Sequence, residues 1–70
     1  MITFELDSSK EGIEIFLDEN GVEELINYLS YIKKNNDHYH LLVDNELDNK
    51  LNHGINTLIK HVKLIYLDNE

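Results

Sequence analysis

The sequence predicts a two-layer α+β domain: one antiparallel sheet of about four strands, in the order β-β-α-β-β, with a single amphipathic helix on one face. Three observations carry this. The chain opens on two alternating apolar runs, Ile2, Phe4, Leu6 and Ile13, Ile15, Leu17. A run at helical spacing follows, Val22, Leu25, Ile26, Leu29 and Ile32, and two strand-like stretches, His38 to Val43 and His61 to Leu67, come after it. Periods of two and of 3.6 separate strand from helix. Seventy residues make a single small domain, 1–70.

Each element has its local reason. Asp7-Ser8-Ser9-Lys10-Glu11-Gly12 is polar and turn-forming, so the first two runs read as an antiparallel hairpin. Asn20 is the expected N-cap of the helix, with Glu23 three residues on as in a capping box. Glu19, Glu23 and Glu24 stand near the positive end of the helix dipole and Lys33 and Lys34 near the negative end, before Asn35-Asn36-Asp37 stops it. Residues 44–57 are ambiguous. Leu47, Leu51, Ile55 and Leu58 have the spacing of a helical stripe, whereas the Asn and Asp residues and Gly54 favour a loop with a short strand near Lys50.

Composition narrows the function. Fourteen acidic residues against six lysines give a net charge of −8, and there is no arginine. Nucleic acids and anionic membranes would repel such a chain, and the bidentate guanidinium contact to phosphate is missing. A basic protein partner fits the charge, and simple solubility explains it equally well. No run approaches the ~20 apolar residues needed to span a bilayer, and no signal peptide is visible, so a cytoplasmic protein is expected. Without cysteine, disulfides and thiolate zinc sites are excluded. A domain this small usually gains stability by association, so a homodimer is expected.

Alternation also assigns faces. With Ile2, Phe4, Leu6, Ile13, Ile15 and Leu17 toward the helix, Phe16 turns away. Tyr39, Leu41, Val43, Val62, Leu64 and Tyr66 then point inward. The far face carries Phe16, Leu42, Ile65 and Leu67 among Glu5, Glu14, His38 and His40. A solvated face does not normally gather so many large apolar groups, and this one is expected to be a dimer or partner surface. A one-residue register slip would exchange the faces.

His38 and His40, two apart on one strand, project from one side. They offer two metal ligands, but no third ligand has a defined position among Asp37, His53 and His61, and there is no HExxH pattern. A scaffold role for each histidine is the expectation, with no metal and no cofactor. Serines occur only at 8, 9 and 30, which disfavours a nucleophilic triad, and no glycine-rich phosphate loop exists. The chain is therefore expected not to be an enzyme.

The run Asp37-His38-Tyr39-His40-Leu41-Leu42, reached after a helix with Val22-Glu23-Glu24-Leu25, and the later Ile59-Lys60-His61-Val62-Lys63-Leu64 resemble a bacterial immunity protein family of polymorphic toxin systems, the immunity protein 32 type. The resemblance spans roughly residues 13–66 and rests on these short motifs. Many relatives carry a Trp-Gly-Gly-like segment after the histidine strand. This chain has Asp44-Asn45-Glu46-Leu47 there and no tryptophan. The resemblance implies a cytoplasmic protein that binds and neutralises a toxin made by the same cell. If that toxin is a basic nuclease, Glu14, Glu23, Glu24 and Asp44 would cover its groove, with Phe16, His38, His40, Leu42 and Ile65 as the partner-binding residues. A homodimeric structural or regulatory module and a small histidine-dependent metal-binding protein are the alternatives.

Overall fold

The computed structural model describes residues 1–68. Its elements are β1 (Ile2–Leu6), β2 (Ile13–Leu17), α1 (Glu19–Asn35), β3 (His38–Leu42), β4 (Thr57–Leu58) and β5 (His61–Ile65). The α+β class is as the periodicity requires, and the order is roughly the expected β-β-α-β-β, with the two-residue β4 added before the last strand. Among the described residues no helix is long and apolar enough to cross a membrane.

β1 and β2 form the expected antiparallel hairpin, pairing Thr3 with Phe16 and Glu5 with Glu14. Its loop closes through Asp7 N–H to the Gly12 carbonyl and Lys10 N–H to the Asp7 carbonyl, each 3.0 Å. The helix is capped two residues earlier than expected. Asp18, not Asn20, is the N-cap: its carboxylate accepts from the Gly21 N–H at 2.7 Å and from the Met1 ammonium at 2.8 Å. Asp18 wins because β2 ends at Leu17, leaving its extended backbone at the helix entrance. Gly21 packs so close to the amino terminus that a Cβ there would overlap the Met1 carbonyl. At the other end Asn36 takes the left-handed conformation, and the N–H groups of Asn36 and Asp37 both reach the Ile32 carbonyl.

The strands divide into two sheets, β2-β1-β4 and β3-β5, where the sequence reading placed a single one. The stretch from Thr57 to Ile65 causes the division by changing partner midway. Ile59 donates its N–H to the Phe4 carbonyl at 2.9 Å on one side, and the next residue, Lys60, accepts from the Val43 N–H at 3.1 Å on the other. Ile59 and Val62 both pack on the core although they are three apart, so the in–out alternation slips between them. That slip turns β5 away from β1.

The core is Ile2, Phe4, Leu41 and Leu47, flanked by Leu17, Leu25, Tyr28, Tyr39, Val43, Ile59, Val62 and Leu64. Tyr28 of the helix stacks on Tyr39 of β3 at 4.8 Å between ring centroids, and Tyr31 meets Tyr39 edge-on at 5.7 Å. The radius of gyration is 12.9 Å, against ~11 Å for a compact domain of this length. The excess reflects an elongated shape, 40 × 25 × 18 Å along the principal axes.

The ambiguous segment 44–57 is a series of turns, and its short strand is β4, not a strand near Lys50. Leu47 is anchored in the core, while Leu51 and Ile55 of the supposed stripe are exposed. Asp48 N–H then donates to the Ile2 carbonyl at 3.0 Å, which ties the segment to the edge of β1.

Candidate partner-binding surface

The β3–β5 ladder pairs His38 with Ile65, His40 with Lys63 and Leu42 with His61. Directly opposed residues share a face, so these six side chains form one outer surface, and all six are exposed. Four expected contact residues, His38, His40, Leu42 and Ile65, are thus brought together. His61 and Lys63 join them. The parity of β5 already placed Lys63 outward, and His61 follows from the same parity.

Three imidazoles cluster here. His40 Nδ1 and His61 Nε2 are 2.8 Å apart with the rings stacked at 5.0 Å, and His38 meets His40 edge-on at 5.1 Å. His38 Nδ1 also lies 3.2 Å from the Asp37 carboxylate. At 2.8 Å one ring nitrogen of the His40–His61 pair carries the proton that the other accepts. Burial, followed by the positive charges of His61, His38 and Lys63, holds the His40 pKa below the usual imidazole value. Among the described residues no group of three or more His, Asp or Glu side chains is arranged to hold a metal ion.

Phe16 is not part of this surface. It lies on the other sheet, half-buried, sharing a face with Thr3, Glu5 and Glu14. Nor is that face open as the alternation alone implied, because segment 48–56 folds back over it. Glu5 is fully buried. Its carboxylate accepts from the Asn52 N–H at 2.6 Å, the His53 N–H at 3.2 Å, and the side-chain amides of Asn56 at 3.1 Å and Asn52 at 3.4 Å. Burial pushes the Glu5 pKa up, but these donors outweigh it and the net shift is downward. The Asn56 amide also donates to Glu14 at 2.8 Å, so one NH2 group separates two carboxylates that face each other across the hairpin. His53 Nδ1 stands 3.5 Å from the same Glu14 oxygen. The cluster clamps the loop to the sheet, and Glu5 belongs to that clamp, not to a contact surface.

The alternation argument also missed an apolar surface on the helix side. Leu25, Tyr28 and Ile32 face the core, whereas Val22, Ile26 and Leu29, a quarter-turn round the helix, stay exposed. With Ile13 and Ile15 of β2 they make five aliphatic residues between 43% and 58% exposed. The two outer sheet edges differ as well. On β3 the outward N–H groups of His38 and Leu42 are taken by Asp37 at 2.8 Å and Glu46 at 3.1 Å. Among the described residues none caps the outward N–H groups of β2 in this way. A width of apolar stripe too great for one sheet to bury was the signal in the sequence. No family model, no curated protein and no solved structure matches the chain.

Proposed function

We propose that this chain is a non-catalytic, acidic binding protein that neutralises a cognate bacterial toxin in the cytoplasm. The partner contacts the outer face of β3–β5, through His38, His40, Leu42 and Ile65. The observation that carries the reading is this face itself: two exposed aliphatic residues beside three histidines, on one ladder, in a chain of net charge −8. Leu42 and Ile65 supply apolar area, the imidazoles supply hydrogen-bonding groups, and the overall charge draws a basic partner to the encounter. The immunity-protein resemblance of Asp37 to Leu42 falls on the same strand.

The test is co-expression with the product of the adjacent gene, followed by titration calorimetry on the purified pair. Rescue of growth and tight one-to-one binding are expected, and Leu42→Glu with Ile65→Glu abolishes both while the circular dichroism spectrum holds. A folded protein that neither rescues nor binds would refute the reading. Binding that survives both substitutions would move the contact to another face.

A further inference from the structure

The geometry points to a homodimer built by antiparallel pairing of β2 with β2 of a second copy, sealed by the exposed flank of α1. The hydrogen bonds fix which backbone groups of β2 are free. Asp18 N–H donates to the Met1 carbonyl and Asp7 N–H to the Gly12 carbonyl, so positions 12, 14, 16 and 18 turn their backbone groups toward β1. Ile13, Ile15 and Leu17 therefore turn theirs outward, along an uncovered edge.

The helix lies so that its apolar flank overhangs that edge. Tyr28 and Tyr31 touch Tyr39 of β3, which fixes the tyrosine side of α1 toward β3. Val22, Ile26 and Leu29 are on the opposite side of the core-facing residues, and the strand beyond β1 on that side is β2. The side chains of Ile13, Ile15 and Leu17 share the helix-facing side of their sheet with Ile2 and Phe4. Strand edge and helix flank are one continuous apolar surface. Open apolar edges invite pairing and are normally blunted, as β3 is by Asp37 and Glu46.

The surface suits a second copy in particular. β2 has five residues with Ile15 at its centre. A two-fold axis through Ile15 sets Ile13 of one copy opposite Leu17 of the other, which satisfies every outward group and makes one six-stranded sheet. The helix-facing side of β2 carries only Ile13, Ile15 and Leu17, so the edge itself is apolar and self-complementary, which a second copy of the same strand matches. The strand is ~17 Å long at ~3.4 Å per residue, giving an interface below the standard size and a dimer that depends on concentration. Glu19 and Glu23 border the helix flank, so their repulsion makes the dimer tighter at high salt. The outer face of β3–β5 stays free, so this inference does not depend on the toxin reading.

The experiment is sedimentation equilibrium on the full chain with three variants. Wild type is expected to dimerise, more tightly as salt is raised. Ile26→Glu buries a charge at the interface, and Ile15→Pro removes an outward N–H without touching the β1 ladder; each weakens the dimer about ten-fold or more. Leu42→Glu leaves it intact, which separates this surface from the toxin face. If either variant fails to fold, amide exchange of Ile13, Ile15 and Leu17 in the wild type answers the question, with protection rising as protein concentration rises. A monomer at all concentrations, concentration-independent exchange, or a dimer lost only in Leu42→Glu would overturn the inference.

Discussion

Leu47→Ala and Leu51→Ala test the account of the 44–57 segment against itself. The two leucines sit four apart in the same polar stretch, yet Leu47 is 2% exposed and Leu51 is 37% exposed. Leu47 packs into the cluster of Ile2, Phe4 and Leu41. Truncating a leucine so placed removes its transfer energy and leaves a cavity, at a cost of about 2.7–5 kcal/mol. Leu51 is absent from that cluster, and its truncation costs about 1 kcal/mol or less. A domain of 70 residues has roughly 3.5–10 kcal/mol of total stability, so Leu47→Ala removes a large share of it. The matching fall in Tm is ~10 °C or more. Urea unfolding followed by circular dichroism, both variants at one protein concentration, reads the difference, with the m-value unchanged. Losses equal within ~0.5 kcal/mol would show that Leu47 does not anchor the segment.

Three further predictions follow from the polar contacts and one close approach. Glu5→Gln turns an NH2 toward donors that the carboxylate accepts, so stability falls at neutral pH. The folded Glu5 pKa is depressed below the ordinary 4.5, so its stabilisation is present above about that value and is lost as pH falls through the folded pKa. Urea midpoints taken down to about pH 3 should therefore show a shallower acid limb in the variant, and an unchanged limb would contradict the clamp. His61→Ala raises the His40 pKa, followed by the imidazole proton shifts in NMR. A folded His40 that resists protonation leaves stability complete above ~6.5 and diminished as pH falls through that range, and the variant reduces this loss. An unmoved His40 titration would argue against the 2.8 Å pair. Gly21→Ala should lower the Tm despite alanine's better helix propensity, because its Cβ meets the Met1 carbonyl; a higher Tm would show that the amino terminus moves aside freely.

The elements themselves were legible in the sequence because alternation and helical period are local properties. The hairpin, the helix stop at Asn36 and the inward residues of β3 and β5 all follow from spacing within a few neighbours. The Asn20 cap failed for a specific reason: Asp18 was better placed by the end of β2, and its second donor, the Met1 ammonium, lies seventeen residues away. The grouping expected of the candidate contact residues was legible in part. His38, His40, Leu42 and Ile65 share one ladder, whereas Phe16 requires the two sheets to be one.

Sequence by itself determined the class, the positions of β1, β2, α1, β3 and β5, the acidic charge and the outward histidines of β3, since each depends on residue type and short-range period. Tertiary structure alone decided four things. It split the sheet at Ile59–Lys60, where one stretch serves two partners. It buried Glu5 under backbone donors about fifty residues away. It brought His61 against His40, and it left Ile13 and Ile15 of β2 and the Val22, Ile26 and Leu29 flank of α1 exposed. Each is a contact between segments distant in the chain, and no local pattern encodes which distant segment arrives.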